Sequence, residues 1–167
     1  MAGQPAISIT SDDLVEVTRA LRRLENGREL RKQLRKDLTK DIKPMVPAVR
    51  AKVKALPSKG ESARRGRPGL RASTARATRL QAQMSGRFAG ITVRVDPKKM
   101  PPGVHNLPGY LEGAAPFQRW RSPIFGRDDY KTQPAHPYFY AIARRYEPAA
   151  KRAVETAIES IRRQIEA

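Results

Sequence analysis

Apolar residues recur every three or four positions from Leu14 to Leu56, and this stripe is the strongest constraint on how the chain can fold. Leu14, Val17, Leu21 and Leu24 start it, and Leu30, Leu34, Leu38, Ile42, Met45, Val49, Val53 and Leu56 continue it in phase. Such spacing places one apolar edge on an α-helix. Ser11 can cap its start by accepting a first-turn amide, and Asp12 and Asp13 suit the positive helix end. Asn26-Gly27 would ordinarily stop a helix. Because the stripe resumes beyond it, the pattern predicts a long helical arm over 12–56, weakened at Gly27 and kinked near Pro44 and Pro47. The opposite face is basic: ten Lys/Arg against three Asp/Glu between Arg28 and Lys54. A face of that kind either lies on a partner or is simply solvated.

Charge then bounds the partners. The formal net charge is +18, which predicts attraction to a polyanion or to acidic protein surfaces. With 39% hydrophobic residues the core should be modest. There is no cysteine, hence no disulfide framework and no thiolate metal site. No apolar run approaches the roughly 18 residues of a membrane span, so no membrane partner is expected. The first residues, MAGQPAISIT, do not read as a secretory signal, and the expected place of synthesis and assembly is a cytoplasm.

Outside the arm the elements alternate. Residues 1–11 read as an extended arm. Residues 57–76 read as a basic flexible loop: Lys59, Arg64, Arg65, Arg67, Arg71 and Arg76, with the neighbouring Arg79, face only Glu61. Such loops either become ordered on phosphate or on an acidic partner, or serve as plain connections. From Ala77 the period becomes two. Leu80, Ala82 and Met84 alternate with polar residues, and after Ser85-Gly86 a second run carries Ile91, Val93 and Val95. That is a β-hairpin needing a covering helix. Residues 97–137 hold eight of the fourteen prolines, so only a short helical turn at LPGYLEG and a short edge strand near 118–125 are expected there. The helical period returns from about Pro137, with Pro148 as a kink or restart. The expected fold is α+β: a long kinked N-terminal helix and a C-terminal helix packed on a small antiparallel sheet, with 77–167 and the helical arm forming one domain.

No catalytic constellation is evident. His105 and His136 lack metal-ligand spacing, and Asp12-Asp13 and Asp128-Asp129 read as a cap and a turn. The expectation is a non-enzyme without cofactor or metal. Seven of the ten aromatic residues gather in Phe117–Tyr140. This segment is either a base-stacking surface or a packed clasp. Its side chains sit beside proline and apolar residues rather than interleaved with arginine, which favours packing or subunit-interface roles for Trp120, Pro123, Phe125, Tyr130, Tyr138 and Phe139.

The same segment carries a family resemblance. Arg121-Ser-Pro-Ile-Phe-Gly126, then Thr132-Gln133, then Pro137-Tyr-Phe139 opening an Ala-rich last helix, resembles neck and tail-completion proteins of tailed phages, especially phages of actinobacteria. Upstream, Pro68-Gly69-Leu70-Arg71-Ala72-Ser73 is similar to the element that leads into that family's hairpin. Ser122 stands where the family usually has histidine, and Arg67-Pro68 replaces a frequent Thr-Gly pair. The resemblance implies a virion subunit, assembled in the host cytoplasm into a homo-oligomeric ring, commonly sixfold, at the head–tail junction. Other neck or tail proteins would be its neighbours. It further implies that Arg64, Arg65, Arg67, Arg71, Arg76 and Arg79 face the double-stranded DNA in the channel through sequence-independent contacts. The alternative, resting on charge alone, is a free basic nucleic-acid-binding protein.

Overall fold

A computed structural model describes residues 4–57, 69–86, 89–113, 119–123 and 130–166. The apolar stripe of the arm folds as three helices: α1 (Asp12–Ala20), α2 (Gly27–Lys40) and α3 (Met45–Lys54). Leu14, Val17, Leu21, Leu30, Leu34, Leu38, Ile42, Met45, Val49 and Val53 are all buried. Leu24 is not; it falls in the turn between α1 and α2 and is exposed. Gly27 explains that break. A Cβ there would lie 1.7 Å from the Leu21 carbonyl oxygen, so only glycine lets the chain fold back this closely. Ser11 differs from its expected role: its backbone is extended, but its side chain makes no capping hydrogen bond, and its carbonyl accepts from Val15 N–H at 3.2 Å.

The architecture is α+β. β1 (Ala6–Thr10), β2 (Thr78–Gln83) and β3 (Gly90–Val95) form an antiparallel sheet of order β1-β3-β2. Its third strand therefore comes from the segment read as an N-terminal arm, not from 118–125. The Ser8 and Thr92 hydroxyls meet at 3.0 Å, and Gly90 approaches Ile9 so closely that a Cβ would lie 2.4 Å from its carbonyl oxygen. The strand expected near 118–125 is β4 (Arg119–Pro123). It pairs antiparallel with β5 (Tyr130–Pro134) in a separate two-stranded sheet, with Trp120 opposite Gln133 and Pro123 opposite Tyr130.

One further helix departs from the sequence reading. Residues 70–76, read as the end of a loop, form α4 (Leu70–Ala77) together with Ala77, where the strand period is expected to begin. Its buried residues are Ser73, Thr74, Ala75 and Ala77, small side chains that carry little hydropathy signal. Thr74 donates to the Leu70 carbonyl at 2.8 Å and Thr78 to that of Thr74 at 2.9 Å, bonds internal to the helix and its exit. LPGYLEG does form a helical turn, α5 (Leu107–Glu112), ended by Gly113 in the left-handed region. The last helix, α6 (Tyr140–Glu166), starts after Tyr138 and Phe139 and runs through Pro148. Pro148 is exposed, so the carbonyl that loses its partner is on the water side.

The chain divides into two compact units: residues 1–6, 48–79 and 94–142 form one, and residues 7–47, 80–93 and 143–167 the other. The first has Val49, Val53, Leu56, Val95, Met100, Leu111, Tyr138 and Phe139 in its core. The second has the α1 and α2 leucines, Ile91, Val93 and the Ala150, Val154, Ile158 and Ile161 side of α6.

Candidate functional site

Of the basic residues expected to meet DNA, Arg64, Arg65 and Arg67 lie outside the described residues, as does Phe125. The other three do not form one surface patch of free cations. Arg71, in α4, donates to the carbonyls of Lys54 (3.2 Å) and Leu56. It thus bonds the carbonyls at and just beyond the C-terminus of α3, where a cation also complements the helix dipole. Arg79, in β2, is 3.6 Å from Asp96, whose carboxylate also accepts from Lys98 N–H and so starts a short 3-10 helix, Pro97–Lys99. Arg76 alone is exposed on its helix without an ion-pair partner among the described residues.

The end of the aromatic segment contributes to a buried polar site. Tyr138 and Phe139 are fully buried, and their amides both donate to Glu112 Oε2, at 2.8 and 2.7 Å. Tyr140 N–H donates to Glu112 Oε1 at 2.9 Å. Glu112 is itself 4% exposed, so one buried carboxylate takes three amides at the start of α6. The dipole of α6 and the orphan amides of its first turn favour that negative charge. Nearby, His136 N–H donates to the Leu111 carbonyl at 2.8 Å, and the Tyr138 hydroxyl to that of Pro108 at 3.4 Å. Burial, the Glu112 charge and Tyr140 together push the Tyr138 hydroxyl pKa well above its ordinary value. These contacts make α5 and the entrance to α6 one clasp. Tyr138 and Phe139 are placed inside it, and Trp120, Pro123 and Tyr130 supply backbone to the β4–β5 ladder.

Glu112 was not singled out from the sequence. A signal was present: it is the one acidic residue between Pro97 and Arg127, in a proline-rich stretch where helix caps are needed. The histidines also have structural partners. His105 Nδ1 is 3.0 Å from the Pro97 carbonyl oxygen, and among the described residues no group of His, Asp and Glu is placed to hold a metal. Likewise, no described helix is long and apolar enough to cross a membrane.

Two grooves open on the second unit. One, of about 510 Å³, runs between the outer strand β1 and one face of α6. Its charged rim is largely paired internally, Arg162 with Asp13 at 2.6 Å and Lys151 with Glu147 at 2.8 Å. The hydrogen bond to Glu147 raises the Lys151 pKa. The other, of about 470 Å³, lies between the end of α2 and Ala149, Ala153 and Ala157 of α6. Both are open clefts on the surface of that unit. Comparison with protein-family models, with curated proteins and with solved structures finds no match to this chain.

Proposed function

We propose that this protein is a structural, non-catalytic subunit of a tailed-phage neck, joining tail to connector as one member of a ring around the DNA channel. The observation that carries this reading is the segment from Arg121 to Phe139, whose residues resemble the neck and tail-completion family. The clasp gives those residues a physical reason: the Tyr138 and Phe139 amides that follow Pro137, with that of Tyr140, donate to Glu112 where α6 opens. The order of elements, helical arm, hairpin, proline–aromatic segment and last helix, is compatible with that family. A ring subunit also buries side faces and grooves against its neighbours, which suits a small core with open clefts.

Electron microscopy and the native mass of the purified protein test the proposal, together with its detection in virions. A multiple of the 18.7 kDa chain mass with ring-shaped particles is the expected result. A strict monomer that is absent from particles would remove it. The net charge of +18 favours a second reading, a free nucleic-acid-binding protein. That reading predicts DNA-bound protein in infected cells and none in purified virions.

A further inference from the structure

The basic residues of α2 are arranged differently from those of the loop and of α4. Gly27, Leu30, Leu34 and Leu38 form its buried stripe. Arg28, Lys32, Arg35, Lys36 and Lys40 are all exposed. At about 100° per residue they fall in an arc of roughly 140° directly opposite the leucines. Along the axis they cover about 18 Å. None has an acidic partner among the described residues. Asp37 is occupied by Gln33, which donates to both of its oxygens at 2.9 Å. Glu29, the one acid within the arc, is in the first turn, where it complements the helix's positive end.

We infer that this exposed face of α2 is a docking surface for the phosphate backbone of duplex DNA. Three features select that ligand. The face is cationic along its length, so it matches a partner whose negative charge repeats regularly rather than a single carboxylate. It offers no exposed apolar side chain, because the only large apolar residues of α2 are the buried leucines. A protein partner would need an apolar centre to its interface, which this face lacks. An anionic membrane would need the apolar stripe free to insert, and that stripe is buried. Contacts of this type orient a protein on DNA without reading sequence, and counterion release drives them. The inference rests on the junction reading only for the source of the duplex.

The test uses the full chain and a fluorescein-labelled random-sequence duplex, with anisotropy read across a series of salt concentrations. Lys32→Gln/Arg35→Gln/Lys36→Gln keeps helix propensity nearly constant. Its slope of log K against log salt should be shallower by about three, with equal loss on unrelated sequences. A control, Lys98→Gln/Lys99→Gln/Arg144→Gln, removes the same formal charge from exposed positions elsewhere. It should retain most of the wild-type slope. Circular dichroism verifies that both variants are folded, and single substitutions of the same residues serve if a triple variant is not. Equal losses in the two triples, or no salt-dependent binding by the wild type, would overturn the inference. So would binding to polyglutamate in preference to the duplex, which would assign the face to an acidic protein. DNA binding by a protein that never enters particles would keep this inference and remove the junction reading; assembly without DNA binding would do the reverse.

Discussion

The clasp around Glu112 and the outer face of α2 treat charge in opposite ways. At the clasp a single carboxylate is buried and meets three backbone amides, so its lone pairs are used inside the fold. On α2 five cations stand in water with no acidic partner among the described residues. A buried charge is tolerable only when fully hydrogen-bonded, and removing its partners exposes the cost. Exposed cations contribute little to folding, and their repulsion slightly opposes it. The clasp should therefore be read by stability measurements, and α2 by binding measurements.

Mutations can break or sharpen that contrast, and the largest effect is expected in the clasp. Phe139→Ala should destabilise the protein by about 3–5 kcal/mol in denaturant unfolding, because a fully buried ring leaves a cavity. Glu112→Ala should cost about 2–4 kcal/mol by leaving buried amides unpaired, and Glu112→Gln clearly less, since an amide oxygen still accepts. Equal losses for Ala and Gln would mean that side-chain volume, not hydrogen bonding, holds the clasp.

Alkaline titration gives a third, smaller signal. The Tyr138 hydroxyl is raised above its ordinary value of 10.0, so the folded state keeps a proton that the unfolded chain releases. Stability from this group is complete below about pH 10 and falls as pH rises beyond it, with a limiting slope near 1.4 kcal/mol per pH unit. Tyr138→Phe should flatten that alkaline limb in thermal melts recorded from pH 8 to 11.

The smallest stability effect belongs to α2. Lys32→Gln/Arg35→Gln/Lys36→Gln should leave unfolding free energy within about 0.5 kcal/mol of wild type. Loss of several kcal/mol there would show that these side chains hold the fold and would erase the contrast. The exposed Asp13–Arg162 pair provides a calibration, since Asp13→Asn should cost under about 1 kcal/mol and less at high salt.

Local chemistry made much of the molecule legible. The spacing of Leu14 to Val53 identified the buried side of the helical arm; its breaks are at 21–26, with Gly27 opening α2, and at 41–44, ending at Pro44, whereas Pro47, where a kink is also expected, lies inside α3. The change of period at Ala77 located the β2–β3 hairpin. α4 escaped detection because its buried side chains are Ser, Thr and Ala, for which helical burial leaves almost no hydropathy pattern. Arg71 and Arg79 looked like free cations because their partners, the Lys54 and Leu56 carbonyls and Asp96, are 15 or more residues away in sequence.

The buried face of the helical arm, the β2–β3 hairpin and the last helix were legible in the chain, since each follows from residues within one or two turns of one another, and the excess of positive charge is a matter of composition. Only the tertiary structure decided which strand completes the sheet, which arginines are occupied and which are left exposed, and that Glu112 closes the entrance to α6. Each of those choices joins groups far apart along the chain. Chain order carries no distance between them until folding brings a donor within about 3 Å of its acceptor.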